Sequence, residues 1–382
     1  MSDAPPSGAG RPGRRRRIVI VFGGRSAEHE ISCSTAVGVL GALDPHRYAV
    51  ELVAITRDGR WVRAEEAEAV LASGGPAALP PVLRAEGRAI EPGGALARRA
   101  DDGELAPVVL PLLHGPFGED GTVQGLLELA GVAYVGSGVL GSAVAMDKGV
   151  ARHLLAAAGL DLAPWLTLRD GEVDAGLARR VGEELGWPVF VKPANLGSSI
   201  GVSRVEGPGD LEAAVAEALS YDEWAVVEAA VAGRELECAV LGDRPPRASV
   251  VGEVRASRAF YDYEDKYHLG AAQLVVPAEI PPSRAEAVRA VALRAYRAVR
   301  AEGMARVDVF LEPTGRVVVN EVNTIPGFTP ISMYPRLWAA SGLDYAGLLD
   351  ELVALALARW ERRRRRLGRA RGPASPAGSA DR

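Results

Sequence analysis

Lysine is scarce in this chain, and its positions are informative. Of 44 basic residues only three are lysine: Lys148, Lys192 and Lys266. Arginine serves wherever a generic positive charge suffices. A position that keeps lysine calls for a compact, flexible point charge, as phosphate contacts do. A second set of reactive groups lies in MARVDVFLEPTGRVVVNEVNTIPGFTPISM, residues 304–333. Two runs there, ARVDVFL and VVVNEVN, alternate apolar and polar residues and are joined by EPTGR. That alternation predicts two strands, and Pro313-Thr314-Gly315 supplies the turn of an antiparallel hairpin.

Successive strand side chains point to opposite faces. A hairpin symmetric about Thr314-Gly315 sets Asp308 opposite Glu321 and Arg306 opposite Asn323, with Val307, Val309, Val318 and Val322 on the other side. Two carboxylates, an amide oxygen and a guanidinium then share one patch. Facing carboxylates repel, so the patch calls for a cation. The oxygens of Asp308, Glu321 and Asn323 are hard ligands that suit Mg²⁺. Mg²⁺ held by few carboxylates completes its shell with water and substrate phosphates. A solvated strand face with one ion pair is the plainer alternative; two facing strands followed by NTIPGF favour the metal.

Length and composition bound the rest. At 382 residues the chain has room for two or three domains at about 150 residues each. Cys33 and Cys238 are too few and too far apart for a disulfide framework, which suits a reducing compartment. The net charge of −5 favours neither nucleic acid nor an anionic membrane as partner. The apolar run IVIVF is too short for a signal-peptide core, and no stretch is long enough to span a membrane, so a cytoplasmic protein is expected. The basic runs Arg14 to Arg17 and Arg362 to Arg366 border Pro/Gly/Ala/Ser-rich sequence, which predicts disordered tails over residues 1–17 and 362–382.

Between the tails, residues 18–136 read as alternating strands and helices. IVIVFGG is a buried strand, and SAEHEISCSTAVGVLGAL is a helix with a start signal at Ser26. PVVLPLLHGPFGEDG is a strand entering a glycine loop. Residues 64–105 look like an insertion with little chemistry. A βαβ pattern predicts a parallel sheet that gathers ligands at its carboxyl ends, where Glu28 and His114 fall. Glu28 and Glu30 also suit a helix N-terminus on dipole grounds alone. GSGVLG, residues 136–141, has the G-x-G-x-x-G spacing, with Asp161 where a ribose-binding acid would lie. The helix signals of MDKGVARHLLAAAGL follow it instead of a compact βαβ unit, and an NAD-linked oxidoreductase would leave the hairpin and the three lysines unexplained.

WPVFVKPANLGSSIGVSRV reads as strand, Gly/Ser loop, strand, with Lys192 ahead of Gly197-Ser198-Ser199. The lysine precedes the glycines and no helix follows, so this is a hairpin flap over phosphates and not a Walker A loop. In WAVVEAAVAGRELECAVL a short break, 229–231, could present backbone groups to an adenine edge. AFYDYEDKYHLGAA is an aromatic, charged loop resembling a lid.

Taken together, GGRSAEHEIS, LHGPFGEDGTVQG, GSGVLGSAVAMDK, VKPANLGSSIGV, FYDYEDKY, ARVDVF and NEVNTIPGFTPIS resemble, in order over about residues 18–360, the D-alanine–D-alanine ligases of the ATP-grasp superfamily. The resemblance implies an α/β Rossmann-like (pre-ATP-grasp) N-terminal domain, 18–136, then two α+β domains, 137–228 and 229–361, that form the ATP-grasp fold. It implies ATP as substrate and two Mg²⁺ (or Mn²⁺) held by Asp308, Glu321 and Asn323. ATP would meet Lys148, Lys192, Ser199, Glu228, Ala230, Val231, Glu235, Phe260 and Lys266. An aromatic residue is usual where Ala230 stands, so adenine lacks that packing surface here. Glu28 would anchor the first D-alanine's ammonium beside His114, and Ser332 with Met333 would take the second D-alanine's carboxylate. Ser198 and Tyr267 would hydrogen-bond to Glu28 on closure, and Arg306 with backbone donors around Gly327 would stabilise developing charge. Tyr267 is absent from the relatives that make D-alanyl-D-lactate, so its presence favours the dipeptide over the family's alternatives, a D-alanyl-D-lactate or D-alanyl-D-serine ligase. A cytoplasmic homodimer serving peptidoglycan synthesis is the implied setting. A non-catalytic nucleotide-binding module is disfavoured by the intact Arg306, Asp308, Glu321 and Asn323.

Overall fold

The computed structural model describes residues 15–96, 105–255 and 273–370. Phe260, Lys266 and Tyr267 lie outside them. The first sheet runs β4-β3-β2-β1-β5-β6, from β1 (Arg16–Gly23), β2 (Tyr48–Ile55), β3 (Trp61–Arg63), β4 (Arg88–Ala89), β5 (Val108–Pro111) and β6 (Ala133–Tyr134). Ile18 to Phe22 are buried on both faces, which is why this strand reads as an unbroken apolar run. The expected parallel sheet holds for β2, β1, β5 and β6; β3 and β4 pair antiparallel at the edge. The supposed insertion over residues 64–105 therefore contributes: its described part supplies the helix Glu65–Gly74 and strand β4. The helix after β1 spans His29–Ala42, with Glu28 at its cap position. Ser26 acts just before it, accepting from the Glu28 N–H at 3.3 Å. Ser32 Oγ accepts from Gly23 N at 2.8 Å and donates to Leu112 O at 2.6 Å, which ties the ends of β1 and β5 together.

The second sheet, ordered β7-β10-β8-β9, holds β7 (Trp165–Arg169), β8 (Val189–Pro193), β9 (Ser203–Val205) and β10 (Trp224–Ala229). The third, ordered β13-β12-β11-β14-β15, holds β11 (Arg234–Leu241), β12 (Arg247–Arg255), β13 (Gln273–Val275), β14 (Met304–Leu311) and β15 (Val317–Asn323). Between the named strands of both sheets the pairings are antiparallel. The break after β10 carries the chain from one sheet to the next.

In the β14–β15 hairpin, Asp308 pairs with Glu321 and Arg306 with Asn323, as the alternation predicts. The register then shifts: Val309 pairs with Val319 and Phe310 with Val318, leaving Asn320 as the extra residue of a bulge. The expectation that Val318 shares a face with Val307, Val309 and Val322 is corrected accordingly. Val318 lines the cavity beside Phe310, while Val317 and Val319 join the core under the helix Pro282–Ala298. Each buried valine is worth roughly 1.5–3 kcal/mol against exposure. A one-residue slip would turn all of them outward, so this core outweighs any alternative register.

Within the described residues the basic runs are structural, which corrects the tails expected at 1–17 and 362–382 over residues 15–17 and 362–370. Arg16 and Arg17 belong to β1, and Arg17 pairs with Glu51 at 3.1 Å. Arg362 to Arg366 lie on the helix Tyr345–Ala370, where Arg362 meets Asp243 at 2.7 Å and Arg363 meets Glu302 at 2.8 Å. Leu348, Leu349, Leu352, Val353 and Ala356 of this helix share one core with Ile18, Ile20 and Phe22 of β1. Buried Arg359 donates to Tyr134 O at 2.7 Å and to Gly136 O. No helix among the described residues is long and apolar enough to cross a membrane.

Candidate active site

A cavity of about 330 Å³ lies between the second and third sheets. Lys148, Lys192, Ser199, Glu228, Val231, Glu235 and Glu321 all line it. Ala230 is not among its lining residues; its N–H bonds Pro188 O at 3.0 Å. Lys192 on β8 and Glu228 on β10 sit diagonally on one face, because Lys192 pairs with Val226 and Phe190 with Glu228. Their side chains form a buried ion pair. Lys148 opens the helix Lys148–Ala157, whose Asp147 cap accepts from Val150 N at 2.9 Å, and its Nζ donates to Leu196 O in the flap. Burial, with Arg152 beside it, pushes the Lys192 ammonium down to about 7. Burial lowers Lys148 as well. Both lysines are thus desolvated cations, primed to gain from an anionic ligand.

The flap leaves Ser198 and Ser199 at φ of +53° and +58°, a region where a residue with a Cβ costs about 1–3 kcal/mol. Ser198 Oγ donates to Glu28 Oε1, so the flap is pinned to the N-terminal sheet across 170 residues of sequence. Glu28 and His114 meet at the carboxyl ends of β1 and β5. His114 Nδ1 bonds Ile325 O at 3.2 Å, which leaves Nε2 with its lone pair and no partner among the described residues. Burial holds His114 below its usual range, against the pull of Glu28.

The polar face of the hairpin is as expected in membership and denser in charge. Asp308 accepts from Arg306 Nε at 2.7 Å and from its terminal nitrogen at 2.6 Å. Glu237, paired with Asp308 on β11, is 3.0 Å from Arg306 Nε. Burial opposes the charge on Arg306, yet Asp308 and Glu237 hold it well above the usual guanidinium range. Asn323 Nδ2 donates to Asp308 Oδ2 at 2.9 Å and to Glu321 Oε1 at 3.3 Å. Glu321 also faces the Lys148, Arg152 and Lys192 cations. Asp308, Glu321 and Asn323 offer only hard oxygens, which suit Mg²⁺ with its shell completed by phosphates, although no three acidic side chains among the described residues already converge as a cage; a half-turn of the Asn323 amide offers its oxygen instead of its nitrogen.

Next to this face, Gly327 faces Ser332: a Cβ at Gly327 would come within 3.3 Å of Ser332 Oγ. Ser332 Oγ also accepts from Thr329 N at 3.1 Å. Met333 opens the helix Met333–Ala340, but its side chain is buried over Gly252. Only its backbone N–H is left to meet a ligand. The G-x-G-x-x-G segment packs as structure: a Cβ at Gly141 would lie 2.5 Å from Arg300 O, and Ser137 Oγ accepts from Glu302 N at 3.0 Å. Asp161 pairs with Arg316 at 3.5 Å near the hairpin turn.

Sequence reasoning gave no role to Arg152, Glu119 or Glu237. Arg152 is buried against Glu228. The i, i+4 spacing from Lys148 was the signal for it. Burial and the charge of Glu28 push the Glu119 carboxyl up to about 8, and it accepts from Gly115 N at 2.9 Å. A carboxyl kept neutral at pH 7 beside Glu28 avoids a second buried charge there.

A mixed sheet followed by two antiparallel sheets that clasp a lysine-lined cavity defines an ATP-grasp ligase. Family models described as D-ala D-ala ligase N-terminus and D-ala D-ala ligase C-terminus match residues 17–137 and 154–354. The chain belongs to the D-alanine–D-alanine ligase family, and its activity is the ATP-dependent joining of two D-alanines. It is 50% identical over 368 residues to the D-alanine–D-alanine ligase of Kineococcus radiotolerans, covering 90% of this chain and 97% of that one. Against the Mycolicibacterium smegmatis enzyme of that name it is 49% identical over 366 residues, covering 91% and 97%. The solved D-alanine–D-alanine ligase of Coxiella burnetii superposes with a TM-score of 0.78 at 34% identity, covering 94% of this chain and 100% of the other. The D-Ala:D-Ser ligase VanG of Enterococcus faecalis gives 0.77 at 32%, covering 90% and 100%. One fold thus serves two acceptors, and side chains decide between them.

Proposed function

We propose that ATP occupies the cavity between the second and third sheets, with its phosphates under the flap and toward the hairpin face, and that the two D-alanines lie between that face, Glu28 and Ser332. The observation that carries this reading is the Ser198–Glu28 hydrogen bond, which ties the phosphate flap to the N-terminal pocket. Lys148, Lys192 and the Ser199 region meet the phosphates, and Lys266 joins them from its loop. Glu228, Val231, Glu235 and Phe260 surround adenine and ribose. Asp308, Glu321 and Asn323 would hold two Mg²⁺, or Mn²⁺, ions; when bound, such ions neutralise phosphate charge and orient the transferring group.

The first D-alanine binds by its ammonium to Glu28, with His114 Nε2 accepting a further hydrogen bond. Its carboxylate attacks the γ-phosphate, giving D-alanyl phosphate and ADP. Lys192 meets the phosphates, and Arg306, fixed by Asp308 and Glu237, supports the developing negative charge. The second D-alanine is held by its carboxylate at Ser332 and the Met333 N–H, one of the donors a helix leaves unpaired in its first turn. Its amine attacks the acyl phosphate, a tetrahedral oxyanion forms near the Gly327 backbone, and phosphate departs. The Ser198 contact to Glu28, which Tyr267 would join, keeps the site shut, because water would hydrolyse the acyl phosphate. The product serves cell-wall precursor synthesis in the cytoplasm, made by a homodimer.

Phosphate release from ATP and Mg²⁺ should occur with D-alanine alone and not with L-alanine. With D-alanine plus D-lactate or D-serine, mass analysis should still find the D-alanine dipeptide as the main product. A lactate ester or a D-alanyl-D-serine main product would overturn the assignment of acceptor choice to Tyr267.

A further inference from the structure

We propose that Arg152 is a positioning residue of the nucleotide site: it holds the Glu228 carboxylate so that Lys192 is free to leave that carboxylate for the phosphates when ATP enters. This inference rests on the reading of the cavity as the ATP site. Two cations divide Glu228 between them, Lys192 on Oε1 and Arg152 on Oε2. Arg152 and Glu228 are only 3% and 4% exposed, so water cannot replace a departing cation. A buried carboxylate that loses its last partner is strongly penalised. If Lys192 were the sole partner, each nucleotide would have to compete with Glu228 for it. Arginine suits the standing role because it stays charged and its planar fork is preorganised, whereas lysine suits the moving one.

The surroundings fix Arg152 in place. Its helix approaches β7 closely: a Cβ at Gly149 would lie 3.3 Å from Thr167. On the same helix, the His153 ring stacks edge-on against Trp165 with centroids 5.5 Å apart. Lys148 stands one turn earlier on this helix and holds the flap through Leu196 O. One rigid element thus presents a cation to the flap and another to Glu228. Arg152 also lines the cavity, so its direct contact with the nucleotide is the rival explanation.

A double-mutant cycle separates the two. Arg152→Met, Arg152→Lys, Glu228→Gln and Arg152→Met with Glu228→Gln are compared for ATP Kd, for KM and kcat, and for melting temperature. Arg152→Met should weaken ATP by about 5-fold to 150-fold, the usual range of such couplings, with KM for D-alanine unchanged. Arg152→Lys should recover most of the loss. Adding Arg152→Met to Glu228→Gln should cost nothing further, because the Glu228 charge that Arg152 holds is gone. An undiminished loss in the Glu228→Gln background would overturn the proposal. Should Arg152→Met not fold, the same cycle with Arg152→Lys decides: its smaller ATP defect must vanish beside Glu228→Gln, and its persistence would refute the role. Lys192→Met provides the control. Unchanged ATP affinity there would remove the ATP-site reading itself, whereas a weak Lys192→Met with a normal Arg152→Met would remove only the role of Arg152.

Discussion

Glu321→Gln is expected to give a folded protein whose ligase turnover is at least about a hundredfold lower, the cost typical of deleting one preorganised electrostatic group from a reacting centre. The substitution keeps the shape of the side chain and its oxygen, so the 3.3 Å hydrogen bond from Asn323 can persist. What it removes is the formal charge that sits opposite Asp308 on the polar face of the hairpin. Fold and packing should be untouched, because the hairpin is held from its other side by Val307, Val309 and Val322. The check is ADP release under saturating ATP and D-alanine, beside the melting temperature. Near-normal turnover would refute the assignment of this face to the metal and phosphates.

Glu28→Gln is expected to raise the KM for the first D-alanine by about 10-fold to 150-fold, from loss of a charge-assisted bond worth about 1.5–3 kcal/mol. Glutamine can still accept from Ser198 through its remaining oxygen, so the flap contact survives and the KM for ATP should stay near that of the unaltered enzyme. The same amino acid fills both subsites, so the two constants have to be separated by the curvature of rate against D-alanine concentration. A defect confined to the constant of the second D-alanine would contradict the placement of the first substrate at Glu28.

How much of this could be read from sequence depended on the range of the interaction. The facing of Asp308 with Glu321 is local: period-two alternation and one turn determine it. The bulge at Asn320 was not legible, because VVVNEVN alternates acceptably in either register and only packing against the helix Pro282–Ala298 selects one. Glu28 and Ser198 are far apart in sequence, and no periodicity joins them; the resemblance alone brought them together. Arg152 was hidden because arginine is the generic cation of this chain, and its partner Glu228 lies on a different element. The terminal arginines misled for the same reason. Their acidic partners Glu51, Asp243 and Glu302 come from distant strands and loops, so the runs read as solvated tails. GSGVLG carries the fingerprint spacing for a packing reason that spacing cannot reveal: a Cβ at Gly141 would meet Arg300 O.

Counting bound Mn²⁺ by electron paramagnetic resonance, with a non-hydrolysable ATP analogue and no D-alanine, tests the proposed assignment of the hairpin face to metal most directly. The account predicts about two ions per chain in the unaltered protein and the loss of at least one in Glu321→Gln, with analogue binding retained. Equal counts and equal affinities in the two proteins would contradict it.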